Sequence, residues 1–430
     1  MYARVFLIAA AAAAATYAQW DPGKLLNQEL DASTDGKLKV AFDERVRSER
    51  RSGNSFGRDV DTDYALTRIR FGARYTPNDW LSIFGSGQDS RIPFFGVPGP
   101  NNVRDTIDLY EAYVDLFAKK KTGFAASFGR RVLNYGDSRL IGVPQWSNVA
   151  RPFDGGRMQY RTGHNKFELL LVSPVKVRVD DYNNPNLGER IWGTYNSFSE
   201  IGRGSSVDVY ALRHSQNKIG GWTGTGTLGT NSFGARIFGP TIHHFQYTVE
   251  AVGQTGHMGA LGHRAFAWAS TISRRWSSWS KPLDLTIEYK AASGTGRDAQ
   301  RSGTFDQLAP ANHDKFGHED LFGWRNIHNV RLQATSTLTK IFALNLMYDN
   351  SWLFRKEDAL YNGQGRAIVR SPNGTAGRHV GQEIDFYATF RRGPHLFGAG
   401  IGQFVKGEFI RNTTPGANPR YFYLFQQYSF

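Results

Sequence analysis

Residues 66–75 read LTRIRFGARY, and side chains of two kinds take turns along them. Ile69, Phe71, Ala73 and Tyr75 share one parity, and Arg68, Arg70 and Arg74 share the other. A helix would scatter both sets around its axis, whereas a strand gives one apolar and one cationic face. The pattern recurs. Leu38, Val40 and Phe42 alternate with Lys39, Asp43 and Arg45. Tyr110, Ala112, Val114 and Leu116 alternate with Glu111, Tyr113 and Asp115. Leu283, Leu285, Ile287 and Tyr289 alternate with Asp284, Thr286, Glu288 and Lys290, and Ile384, Phe386, Ala388 and Phe390 with Glu383, Asp385, Tyr387, Thr389 and Arg391.

A soluble sandwich alternates too, so the connections have to decide. The pattern predicts 18 strands, near 37–47, 65–76, 79–88, 106–117, 123–131, 154–161, 165–172, 191–199, 205–213, 230–238, 243–254, 263–274, 282–291, 326–338, 340–350, 379–391, 396–405 and 421–430. Between them long segments (48–64, 89–105, 132–153, 173–190, 214–229, 292–325, 351–378, 406–420) mostly alternate with short ones, and 255–262 is of middling length. Long loops gathered at one end, short turns at the other and an even strand number describe an all-β transmembrane antiparallel barrel of the outer-membrane type. The apolar face then meets lipid, the charged face lines the interior, and closure leaves no bare edge in hydrocarbon.

The termini fit this reading. Val5–Ala15 is apolar but too short to span, follows Arg4 and precedes Thr16-Tyr17-Ala18, which reads as a signal peptide over 1–18. Its removal would lower the net charge of +14 to about +14 − 1 = +13. Residues 19–36 form a periplasmic lead-in, and 37–430 the barrel. Phe430 ends a strand whose Phe422, Leu424 and Tyr428 share its face, like the C-terminal assembly signal of such barrels. The 30 Phe, 19 Tyr, 10 Trp and 47 Gly suit many strands and turns, and with no Cys there are no disulfides or thiolate metal sites. Export turns the basic charge away from nucleic acid and toward anionic lipid or an anionic solute. The expected setting is the outer membrane of a Gram-negative-type bacterium. Expected partners are its lipid and lipopolysaccharide and the barrel-assembly machinery, with the chain acting as a monomer.

Several segments resemble the alginate-export family of outer-membrane porins. The nearest is FGRRVLNYGDSRLIGVPQWSNVARPFDGGRMQY (128–160); TFDQLAPANHDKFGHEDLFGWRNI (304–327), DYALTRIRFGARY, TIDLYEAYVDL and HVGQEIDFYATFR also fit. The resemblance covers most of the chain and implies 18 strands around an arginine-rich pore for a polyuronate. The chain is shorter than the alginate exporter, with smaller loops, and the family spans substrates other than alginate.

A polyuronate bears one carboxylate per sugar, and the planar, permanently charged guanidinium fork of Arg can replace its lost hydration. Arg68, Arg70 and Arg74 would set charges about 7 and 14 Å apart along one strand. By parity Arg45, Arg47, Lys290, Arg331 and Arg391 face the interior. Glu111, Asp115, Glu250, Glu288, Glu383 and Asp385 would balance them and keep the anion from sticking. Arg130, Arg139 and Arg151 lie in or beside the longest motif, as constriction residues or as anchors of an inward loop. A generic charged lumen explains the same pattern without selectivity.

Other signals are weak. GTGTLG (224–229) lacks a following helix, and GNSFG (53–57) falls in a loop. No cofactor is implied; a metal on His313 and His318, or a loop Ca²⁺ on Asp306, Asp314, Glu319 and Asp320, has no spacing to support it. The readings to weigh are a passive pore for acidic polysaccharide or oligosaccharide, a general or small-anion diffusion pore, a barrel enzyme of the lipase or deacylase kind, for which no nucleophile system is evident, and an adhesin or scaffold.

Overall fold

The computed structural model describes residues 21–57, 61–93, 103–179, 181–202, 204–220, 225–240, 243–277, 281–297 and 299–430. The segment read as a signal peptide lies outside them. Eighteen antiparallel strands form the barrel: β1 (Leu38–Ser52), β2 (Thr62–Tyr75), β3 (Leu81–Arg91), β4 (Asp105–Leu116), β5 (Gly123–Arg131), β6 (Phe153–Arg161), β7 (Asn165–Lys176), β8 (Glu189–Ile201), β9 (Ser205–Ile219), β10 (Gly226–Phe238), β11 (Phe245–Met258), β12 (Leu261–Trp276), β13 (Leu283–Ala292), β14 (Ile327–Thr339), β15 (Phe342–Leu353), β16 (His379–Arg392), β17 (His395–Lys406) and β18 (Arg420–Ser429). Each pairs with the next, and β18 closes on β1 from Asp43↔Ser429 to Ser52↔Arg420.

The alternation read from the sequence decides the faces. Ile69, Phe71, Leu169, Leu171, Ile287 and Ile401 are exposed on the outside, while Arg45, Arg68, Lys290 and Glu383 are buried within. Two details differ from the sequence reading. β11 and β12 run on until only Gly259 and Ala260 join them, so the middling loop shrinks to a tight turn. Tyr110, expected on the lipid face, turns inward: the register jumps from Ser86↔Glu111 to Gly87↔Leu109, and this β-bulge flips the parity above it.

The closing seam is staggered. β1 begins five residues before its ladder with β18, and beyond the Phe42–Phe430 pair the edge of Leu38–Ala41 would lie bare. A helix, α1 (Pro22–Thr34), covers it, capped by Asp21, whose side chain accepts from the Lys24 amide. The Asn27 carboxamide donates to the Val40 carbonyl at 3.0 Å and accepts from its N–H at 2.9 Å, standing in for a strand. Phe42 and Phe430 exchange backbone bonds of 3.2 and 3.1 Å and stack at 5.9 Å. A Cβ on Gly23 would sit 1.9 Å from the Phe430 ring, so α1 can cross the last residue only with glycine there.

Asn27→Ala removes both seam bonds where water can partly replace them. The expected loss is about 1 kcal/mol of unfolding free energy, read as a lower denaturant midpoint of the folded barrel in lipid vesicles, with the barrel fold retained.

Candidate functional site: a lumen crossed by two loops

The two longest motif segments do not stay outside. Residues 132–152, between β5 and β6, and 303–326, between β13 and β14, fold into the lumen and meet there. Ala309 donates to the Leu140 carbonyl at 2.8 Å, Ala311 to that of Ser138 at 3.0 Å, and Gly142 to that of Ala309 at 3.0 Å. Trp146 stacks on His313 with centroids 4.6 Å apart. Leu140, Ile141, Phe305, Phe316, Phe322 and Trp324 bury an apolar core inside the barrel.

An irregular loop brings unpaired carbonyls and amides into a space with little water, and each needs a partner. The charged inner wall supplies them. Arg45 donates to the carbonyls of Gln145, Trp146 and Ser147 at 2.9, 3.0 and 3.1 Å. Arg47 donates to the Trp146 carbonyl, with its guanidinium 4.2 Å from the indole centroid. Arg68 grips Asp43 at 2.6 Å and the Gln145 carbonyl at 3.1 Å. Glu111 accepts from the Val132 amide at 3.0 Å. Arg139, itself on the loop, reaches Glu288 at 2.9 Å and Glu250 at 3.8 Å, and Arg151 donates to the Pro310 carbonyl.

The second loop is held from the other side. Lys290 donates to the Lys315 carbonyl and Arg331 to that of Asp314, while Arg331 also clasps Asp349 at 3.0 and 3.1 Å. Glu383 accepts from the Glu319 amide at 2.9 Å and Asp385 from that of His318 at 3.3 Å. Asp306, on the loop, bonds His214 and Thr230 at 2.7 Å and Arg325 at 2.8 Å. Burial would push the Asp306 carboxyl up, but His214 and Arg325 hold it well below the usual range.

Several expected pore residues are therefore loop anchors: Arg45, Arg47, Arg68, Glu111, Lys290, Arg331, Glu383 and Asp385 all hold loop backbone. Arg130 departs further. It lies on the outward parity opposite Ala112, bidentate to Asp154 at 2.9 Å, and its guanidinium also donates to the Asn183 carbonyl at 3.0 Å. In the sequence that parity is unclear, because the strand runs into its loop there. Arg70 bonds Gln88 at 2.8 Å beneath the Tyr110 ring. Arg391 is exposed at the end of β16, beside a short turn.

A different set faces open space along β2–β7. Arg74 and Arg131 share Asp115 at 3.6 and 3.0 Å, and Arg157 and Lys166 share Glu168 at 3.9 and 3.5 Å. Their side chains keep 37, 19, 24 and 34 % exposure. Arg74 was expected here. Arg131, Arg157 and Lys166 were missed, although parity with Ser127 and Gln159 points Arg131 and Arg157 inward. The metal readings do not assemble: His313 bonds Asp320 at 2.7 Å and His318 bonds Tyr423 at 3.1 Å, while Asp306 is spent on His214, Thr230 and Arg325. In GNSFG, Asn54–Phe56 is a single turn whose Phe56 packs on Phe404 at 5.6 Å. Of GTGTLG, Gly224 lies outside the described residues and Gly226–Gly229 opens β10.

A closed barrel with a charged interior and loops folded through it is that of an outer-membrane porin. The alginate-export family model matches residues 37–424, and the chain belongs to that family. Among solved structures the fold is similar to three porins of Pseudomonas aeruginosa. OccK9 (OpdG) matches at 10% identity and TM-score 0.64, over 91% of this chain and 98% of that one. OccK8 (OprE) matches at 8% and 0.62, over 91% and 98%. The outer membrane protein opdK matches at 9% and 0.60, over 91% and 99%. At such identities the likeness speaks for the fold alone. No curated protein matches the chain.

Two mutational outcomes follow from the anchors. Arg45→Met removes one donor from each of three loop carbonyls, of which Gln145 keeps Arg68 and Trp146 keeps Arg47. At about 1–3 kcal/mol for each buried group left bare, the 132–152 loop comes loose and single-channel conductance in planar bilayers rises. The second loop carries a pH dependence. Burial pulls His318 down to about 3, with His313 adding to it, and burial pushes Glu319 up to about 8. With ordinary values of 6.5 and 4.5 for the undocked loop, the two effects offset between pH 4.5 and 6.5. Docking weakens as pH rises toward 8, where undocked Glu319 is the more ionised, and as pH falls toward 3, where undocked His318 is the more protonated. Open-channel fluctuations are expected to be more frequent at pH 8 than at pH 6.5, and Glu319→Gln flattens that difference.

Proposed function

We propose that this porin passes an acidic polysaccharide or oligosaccharide, of the alginate-like polyuronate kind, with selectivity for anions. The observation that carries the reading is the inner wall of β2–β7. There four cations, Arg74, Arg131, Arg157 and Lys166, share two carboxylates, Asp115 and Glu168, and all four keep part of their side chain exposed. The excess of positive charge favours an anion, and the paired carboxylates weaken each contact enough for release. Tyr113 adds a ring beside the path, with Arg131 stacked 4.2 Å from its centroid and its hydroxyl accepting from Arg74 at 2.7 Å. Passage is passive, down the gradient of the solute. A second reading, a diffusion pore for small anions, draws support from the two loops crossing the lumen, which leave less room for a polymer.

Planar-bilayer recording tests both. The polyuronate reading expects anion-selective current that oligouronates block with affinity rising with chain length, and Arg74→Glu with Arg157→Glu lowers both selectivity and block by about tenfold, the effect of about 1.4 kcal/mol. Block that does not depend on length supports the small-anion pore. Cation selectivity in the unaltered protein rules out both.

A further inference from the structure

The outer wall carries a feature the pore does not use. On β9–β13 the lipid-facing side chains shrink, and Ala211, Ala235, Ala251, Gly253 and Ala291 floor a concavity of about 950 Å³. Phe233, Phe266 and Trp268 stand around it. In a membrane this hollow is filled by hydrocarbon, and what borders it decides which lipid supplies the chain. Two residues further toward the long-loop rim the same outward row reads Arg213, Asn231, Thr255 and Arg264, paired strand to strand. Arg213 bonds Asn231 at 2.9 Å, and Arg264 is exposed. Neither has an ion-pair partner among the described residues. Their strands are three spacings apart, so the two cations stand about 14 Å from each other and about 7 Å above the apolar floor. His257 and Arg301 belong to the next row up, His257 opposite Gly262 and Arg301 beside it. Neither row holds a carboxylate. A two-residue turn, Gly259–Ala260, joins β11 and β12 above these rows in place of a long loop.

From this juxtaposition we propose that the β9–β13 face binds one molecule of a bis-phosphorylated glycolipid of the lipid A type in the outer leaflet. Arg213 and Arg264 take its two phosphates as charge-assisted hydrogen-bond donors, and an acyl chain lies in the hollow floored by Ala251 and Gly253. Two separated cations above an apolar groove match a headgroup that carries two phosphates on a disaccharide with chains beneath. A single-phosphate phospholipid can satisfy one cation at a time.

Native mass spectrometry of the folded full-length barrel in detergent tests this, with bis-phosphorylated lipid A, its dephosphorylated form and phosphatidylglycerol as probes. One bis-phosphorylated molecule is expected to stay bound, in preference to the other two, and in the presence of excess inorganic phosphate. Arg213→Glu with Arg264→Glu lowers the bound fraction at least tenfold. Gly253→Leu does the same from the acyl side; a Cβ there meets nothing within 4 Å, so the wall accepts it. Heat-resistant migration on gels and single-channel conductance stay as in the unaltered protein, because these side chains face away from the lumen. Equal retention of the three lipids, a double variant that binds normally, displacement by inorganic phosphate, or binding untouched by Gly253→Leu would each overturn the proposal.

Discussion

Guanidinium-to-carbonyl hydrogen bonds inside the barrel are what the rest of this structure depends on. An 18-stranded wall satisfies its own backbone, but the two loops that cross the lumen do not, and their peptide groups must be met by side chains from the wall. Arg45 alone meets three carbonyls, and Arg47, Arg68, Lys290 and Arg331 meet others. Where the loop offers amides, as at His318 and Glu319, the wall answers with Asp385 and Glu383. The sign of each wall charge thus matches the polarity of the loop backbone it faces.

This division explains how a basic interior can be both filled and conductive. Charges that hold loops are buried and hydrogen-bonded to loop backbone. The cations left along β2–β7 are partly exposed and shared two to a carboxylate, a looser arrangement suited to a solute that must come and go. The apolar core between the loops, around Ile141 and Trp324, is buried away from that charged wall.

The barrel was legible because period two is a property of the strand itself, so parity carried strand number, faces and closure without any knowledge of partners. Family resemblance in 128–160 and 304–327 marked the segments that became the two inward loops. What parity could not carry is what depends on a third dimension. The bulge at Tyr110 turns two successive residues, Tyr110 and Glu111, inward, which strict alternation does not anticipate. Nor does inward parity distinguish a guanidinium facing water from one facing a loop carbonyl, so Arg45, Arg47 and Arg68 read as pore residues and proved to be anchors. Arg131 and Arg157 were readable by parity, but Arg130 and Gly156 interrupt the apolar half of the pattern beside them. His214 stood at inward parity beside Tyr210 and Leu212, without any sequence sign that its partner, Asp306, lies in a loop 92 residues away.

The staggered seam at Asn27 and Phe430 bears on how the ring is counted shut. Strands β1 and β18 are the two ends of the chain of strands, and their pairing closes the ring. Nothing within either strand forbids a slip of one residue, yet such a slip would turn the arginines of β1 toward lipid and its Val46 toward the lumen. Phe42 and Phe430 meet at the end of the shared edge, and the Asn27 amide occupies the next position along it, so sliding β18 further would collide with α1. The helix and the final aromatic together act as a stop against sliding in that direction.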